Sequence, residues 1–229
     1  MTQQFVQVDP LDSPHPVPWN WVMANIAEVT ASNHPSLRYY RSQALMSPDG
    51  QYAAYSRIQM QVQPEFFRSR VSSVLFLENL RTGDLRAITA AAPLSDHPFM
   101  TTRDDDMSGT VAILIPVAWS ETGDRILSRE FESLFGSDLA SDYAVVWDRR
   151  LDRTSTVAPT RIQYTNAVLL GWSQSYPDRI LFRAGNIGEE QWPLWTVDLS
   201  GQTITAPEDR PQVFGHTVSS IWTGPQAYL

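Results

Sequence analysis

From Tyr39 onward the chain is written as short apolar runs broken by Ser, Pro, Asp and Gly. The clearest unit is Ala167 to Pro207, in which Ala167-Val-Leu-Leu-Gly-Trp172-Ser, Arg179-Ile-Leu-Phe-Arg183, Pro193-Leu-Trp195-Thr-Val197 and Gln202-Thr-Ile-Thr205 are separated by turn residues. Four such runs in succession predict a small four-stranded antiparallel sheet.

The same order occurs twice more. In the first repeat, Ser42 to Met46 ends in Ser47-Pro-Asp49-Gly50 and is followed by Tyr52 to Ile58, Ser73 to Leu77 and Leu85 to Ile88. In the second, Ile113 to Trp119 ends in Ser-Glu-Thr-Gly123 and is followed by Arg125 to Arg129, Tyr143 to Asp148 and Thr154 to Val157. A fourth begins at His216 and stops after one run, Val218-Ser-Ser-Ile-Trp222. Trp119 and Trp172 are 53 positions apart, Trp172 and Trp222 are 50, and Met46 and Trp119 are 73. The excess falls on Ala92 to Gly109, which reads as a long surface loop between repeats.

The residues ahead of the repeats follow a different rhythm. Gln3 to Val8 alternate and predict one short strand, Asp9 to Pro18 holds four prolines and predicts an extended linker. Trp19, Val22, Met23, Ile26 and Val29 recur at three- and four-residue steps, which predicts one helix from Pro18 to near Asn33-His34-Pro35. The expected division is therefore 1–38 for strand, arm and helix, and 39–229 for the repeats, at about 39–91, 110–160, 166–209 and a partial 214–229.

Composition narrows the chemistry. All 17 basic side chains are Arg, and there is neither Lys nor Cys, so Schiff bases, thiolate nucleophiles, disulfides and Cys-ligated metals are excluded. A net charge of −8 without a basic stripe argues against a nucleic-acid partner. No apolar run approaches the ~20 residues of a membrane span, and the first thirty residues lack a signal-peptide pattern. The expectation is a soluble, cytoplasmic protein, which a removed leader would reverse.

Met46-Ser-Pro-Asp-Gly, Trp119-Ser-Glu-Thr-Gly and Trp172-Ser-Gln-Ser-Tyr-Pro-Asp resemble the Trp-Ser-Pro-Asp-Gly turn of TolB-type and WD-repeat β-propellers. Trp147-Asp148 resembles the dipeptide of WD repeats, and Gly215-His216 through Trp222 the start of one. The resemblance implies an all-β fold, a small or incomplete β-propeller of about three to four four-stranded antiparallel blades with one N-terminal helix. Three blades and a fragment are few for a closed ring. Gln3 to Val8 pairing with the strand at Val218 to form a hybrid blade, joining of two chains into a homodimer, and completion on a larger assembly are the ways left open to cover the exposed sheet faces.

Candidate chemistry is sparse. Gly171-Trp-Ser173-Gln-Ser175 is one residue from a nucleophile elbow, but Ser47 and Ser120 hold the same place in the sister repeats, which makes it a turn. His15, His34, His97 and His216 have no metal-ligand spacing. Asp104-Asp105-Asp106 could face a hard cation, but consecutive carboxylates cannot converge on one ion. Glu130 and Glu132 would share a strand face with nothing to separate their acidities. No catalytic residue, metal site or cofactor is predicted. The sequence instead predicts a non-enzymatic interaction or assembly subunit that binds a protein partner through its loops. Candidate contacts are Phe131, Leu134 and Phe135 in a loop from Glu130 to Asp142, Trp192, Trp19 and Asp104 to Asp106. For Phe131, Leu134 and Phe135 the alternative is a short amphipathic helix covering the next blade. The alternative function is a carbohydrate-binding or hydrolytic propeller with carboxylates at its opening.

Overall fold

Residues 8–95 and 107–218 are described by the computed structural model. The periodic segment after the prolines is α1 (Trp19–Ser32), with Val22, Asn25, Ile26 and Val29 as its buried face. Pro18 stands just outside the helix as its cap rather than as its first residue, and its carbonyl accepts from Val22 N–H. Asn33 ends the helix in the left-handed region at φ 54°, its N–H donating back to Val29 O.

Fifteen strands follow in the described residues: β1 (Ser36–Arg41), β2 (Ala44–Met46), β3 (Tyr52–Val62), β4 (Arg70–Asn79), β5 (Leu85–Ile88), β6 (Thr110–Trp119), β7 (Arg125–Leu134), β8 (Ala140–Asp148), β9 (Arg153–Val157), β10 (Asn166–Ser173), β11 (Ile180–Gly185), β12 (Leu194–Val197), β13 (Thr203–Thr205), β14 (Pro211–Gln212) and β15 (His216–Val218). They make three four-stranded antiparallel meanders, β2 to β5, β6 to β9 and β10 to β13. Each coincides with one sequence repeat. β1, which the repeat pattern does not contain, pairs with the far half of β3. A single parallel bridge between Val71 and Val111 joins the first two meanders into one sheet.

The turns explain why the repeats are recognisable. In each meander the serine after the first strand turns its hydroxyl inward. Tyr52 N–H donates to Ser47 Oγ, Arg125 N–H to Ser120 Oγ and Tyr176 N–H to Ser173 Oγ. The same hydroxyls donate to Asp49, Asp124 and Asp209. The residue that closes the turn is left-handed in all three, at Gly50, Gly123 and Asp178. After the third strand, Asn79, Asp148 and Asp198 each accept two backbone N–H groups and bend the chain into the fourth.

The meanders stack face to face. Leu45, Leu75, Leu77 and Ile88 of the first pack on Leu114, Trp119, Ile126 and Trp147 of the second. The other face of the second, through Val117, Leu127, Ala144 and Val146, packs on Leu169, Trp172, Phe182 and Val197 of the third. α1 fills the wedge at one end, where Val22, Ile26 and Val29 meet Met60, Ile113, Phe131 and Val168 from all three meanders.

This stacking leaves the middle of the first strand of each later meander without a backbone neighbour on its outer side, and side chains of the preceding meander satisfy it. Ser56 Oγ donates to Leu114 O, and Leu114 N–H donates to Ser73 Oγ. In the same way Ala167 N–H donates to Ser141 Oγ and Leu169 N–H to Asp142 Oδ2. Buried main-chain groups left without partners would each cost about 1–3 kcal/mol, so these side chains fix how the sheets sit on one another.

Two further segments cross all of this. Residues 211–218, the cross-strap, pair Gln212 with Trp172, Phe214 with Trp119 and His216 with Met46. They therefore meet the anchor residue of each meander in reverse chain order. His216 to Val218 add to the edge of the first meander at β2, which is where the fourth repeat was expected to begin a sheet of its own; Trp222 lies outside the described residues. The arm, residues 8–18, is not the free linker its prolines predict. Leu11 and Val17 are buried, and Asp9 accepts from the N–H groups of Leu11, Ser13 and Val17. Of the strand expected at Gln3 to Val8, only Val8 is described, and it is not in a strand.

Candidate interaction site

The expected loop from Glu130 to Asp142 is mostly strand. β7 runs to Leu134 and β8 starts at Ala140, leaving a short hairpin turn with Gly136 at φ 79°, and no helix forms there. Phe131 is consequently not an exposed contact. It faces α1 from the middle of β7 with no exposed surface, because β7 alternates and places Leu127, Arg129 and Phe131 on its inner side.

Phe131 is instead the floor of an aromatic cluster. Trp19 at the start of α1 lies edge-on to it at 6.0 Å and stacks on Phe135 at 6.3 Å. Phe135 continues to Phe66 at 6.4 Å, and Phe66 to Phe67 at 5.9 Å. Phe66 and Phe67 belong to the short 3-10 turn Phe66–Arg68 between β3 and β4 and are 43% and 54% exposed. The sequence reading missed both; a Pro-Glu-Phe-Phe-Arg stretch between two strands was the available signal.

Beside this cluster opens a cleft of about 510 Å³, bounded by the arm, the β7–β8 hairpin and the β11–β12 loop. Trp19, Leu134, Phe135 and Trp192 all line it, so four of the residues singled out in the sequence converge. Trp192 is held over Gly185, where an added Cβ would come within 2.5 Å of the indole ring, and its N–H donates to Asn186 O. The cleft is also lined by Asp12, Asp138 and Asn166. Asp104, Asp105 and Asp106 lie outside the described residues.

The arm wall of the cleft is held by a buried ion network. Arg129 on β7 donates through Nε to Asp142 Oδ1 at 2.7 Å and through Nη1 to Asp9 Oδ2 at 2.7 Å and to His15 O at 2.7 Å. Neither Arg129 nor Asp142 has exposed side-chain surface. Burial opposes ionisation of Asp9, but Arg129 and the Val17 and Leu11 N–H groups outweigh it and hold its pKa below the ordinary carboxylate value. His15 Nε2 lies 3.0 Å from Leu170 O. Burial, and secondarily the Arg129 charge, lower its pKa despite that bond, and because a carbonyl oxygen only accepts, Nε2 carries the hydrogen.

The remaining candidates are placed elsewhere. Ser173 is a turn residue bonded to Asp209 and followed by no helix. Glu130 and Glu132 point from β7 to the opposite side from Arg129 and are buried, at 3% and 5% exposure. Ser95 Oγ donates to Glu130 Oε1, and Leu94 N–H to Glu132 Oε1. Burial pushes the Glu130 pKa up to about 8 and raises that of Glu132. Their environments do differ, contrary to expectation, but neither lines this cleft or the second cavity of about 500 Å³ between the arm, β6 and the cross-strap. Among the described residues no group of three or more His, Asp or Glu is placed to hold a metal ion, and no helix is long and apolar enough to cross a membrane.

No protein-family model matches the chain, and no curated protein matches it in sequence.

Proposed function

We propose that this chain is an interaction or assembly subunit, in which three successive blades of a small β-propeller-like stack carry a protein-binding surface at the aromatic cleft. The observation that carries the reading is contiguity. Single exposed apolar residues are ordinary on any protein surface, but Phe67, Phe66, Phe135 and Trp19 touch in series and open onto a cleft that Trp192 also lines. Ile187 at its rim is 56% exposed, and Leu139 on the neighbouring hairpin 60%. Linked aromatic patches of this kind are where protein partners concentrate their binding energy. The blade reading is supported by three like meanders stacked face to face with the same serine turn in each.

The test uses the tagged protein recovered from its own cells beside the Phe66→Ser/Phe67→Ser and Trp192→Ala variants. A partner that accompanies the unsubstituted protein, rebinds it after purification, and is lost from both variants at unchanged melting temperature is the expected result. A partner retained equally by all three would place the binding surface elsewhere and overturn the reading.

A further inference from the structure

Resting on the interaction reading above, we infer that the cleft is built to take an arginine side chain presented by the partner protein. Its chemistry is one-sided. Among the described residues lining it there is no Arg or His, whereas Asp12 and Asp138 both face it and neither carboxylate has an ion-pair partner among the described residues. The walls between them are aromatic. Trp19 and Phe135 lie with their planes 28° apart, and the Trp192 indole N–H is committed to Asn186 O, so Phe135 and Trp192 offer π faces and edges rather than polar groups.

The decisive atom is Asn166 Oδ1. Asn166 lines the cleft at 4% exposure, its amide nitrogen donates to Ala140 O at 2.7 Å, and its oxygen is buried with no donor. An acceptor left in that state is costly, and the group that repairs it must bring a hydrogen-bond donor. A guanidinium brings five donors and no acceptor, is drawn to aromatic faces as a cation, and pairs with carboxylates in a fork. Aromatic walls, two carboxylates and an unsatisfied acceptor therefore point to one occupant. A carboxylate or phosphate ligand would meet like charge, and a purely apolar side chain would leave Asn166 Oδ1 as it is.

The experiment titrates the whole protein with the capped peptide Gly-Leu-Arg-Leu-Gly and with its citrulline counterpart, which has the same shape but no charge, following Trp fluorescence and calorimetry. The arginine peptide is expected to bind at least about tenfold more tightly than the citrulline one. Asp12→Asn combined with Asp138→Asn should remove that difference. Both sites are exposed, and Asn tolerates the left-handed backbone at Asp12, φ 51°, so the fold is retained. Equal affinity for the two peptides, lost from both when Trp192 becomes Ala, would overturn the arginine proposal while leaving the aromatic-surface reading intact. No detectable binding of the arginine peptide at millimolar concentration would overturn it outright, and the partner recovery described above would then decide the broader reading by itself.

Discussion

The arm and the cross-strap span the same stack of sheets, the first on side chains and the second on main chain. Across the arm the contacts are Asp9, Arg129 and Asp142, charges removed from water and dependent on one another. Across the cross-strap they are the backbone pairings at Gln212, Phe214 and His216, with close approach permitted by glycines. At Gly215, φ is +98° and a Cβ would lie 2.7 Å from Met46 O and 2.8 Å from the Trp119 ring; at Gly171, φ is +141° and a Cβ would lie 3.0 Å from Gln212 O. The difference teaches that one strap fails when a charge loses its complement and the other when a side chain is added.

The strongest break of this comparison is Arg129→Met. It leaves Asp9 and Asp142 buried without a cation, and removing one partner of a buried pair costs about 3–5 kcal/mol. Urea unfolding should show that loss; a cost under about 1 kcal/mol would mean the arm is held by Leu11 and Val17 alone. Next is Gly215→Ala, expected to cost about 2–4 kcal/mol from the left-handed backbone and the collisions together. Gly50→Ala is its control, since φ is +67° but nothing lies within 4 Å of the new Cβ; that change should cost only about 1–2 kcal/mol. Equal costs would show that close approach at the cross-strap is unimportant.

Adjacent residues on β7 sharpen the ionic half. Arg129 is complemented, whereas Glu130 on the other face has Oε2 without a partner and a pKa pushed up to about 8. A carboxyl whose folded pKa is raised stabilises the fold fully below its unfolded pKa near 4.5 and loses that contribution as pH rises to about 8. Stability should therefore fall by about 1–3 kcal/mol between pH 5 and pH 8.5, and Glu130→Gln should reduce that slope above the range in which Asp142, pushed up to about 6, contributes. A slope unchanged in Glu130→Gln would assign it to another group. The smallest effect is expected at Asp148→Ala, which loses two turn bonds to Arg150 and Leu151 N–H, far from both straps. About 1 kcal/mol is expected by thermal unfolding, and a larger loss would give the turns a share in stacking that the straps now hold.

The three meanders were legible because each turn spells itself locally, with Ser directly after Met46, Trp119 and Trp172 and an Asp or Gly that tolerates the left-handed backbone a few residues later. What escaped the sequence is what joins distant residues. Asp9 and Arg129 are 120 positions apart, and neither carries a local sign of the other. The prolines of the arm suggested a solvated linker because proline reports backbone shape and not burial. Glu130 and Glu132 disguised the end of β7 as a loop, since charged residues there look exposed until Leu94 and Ser95 are seen covering them. Three aromatic residues of the cleft and Leu134 were picked out individually, but Asn166 was not, because an orphaned carbonyl oxygen exists only in three dimensions.

The cross-strap reaches a new meander at every second residue, Gln212, Phe214 and His216, using the alternation of an extended chain as a ruler. Inserting one residue between Gln212 and His216 would rotate every later side chain to the wrong side and move the glycine out of its slot. Gaining another sheet by duplication would accordingly demand two additional positions in this segment as well, so the stack can grow only if its binding tape is lengthened in the same step.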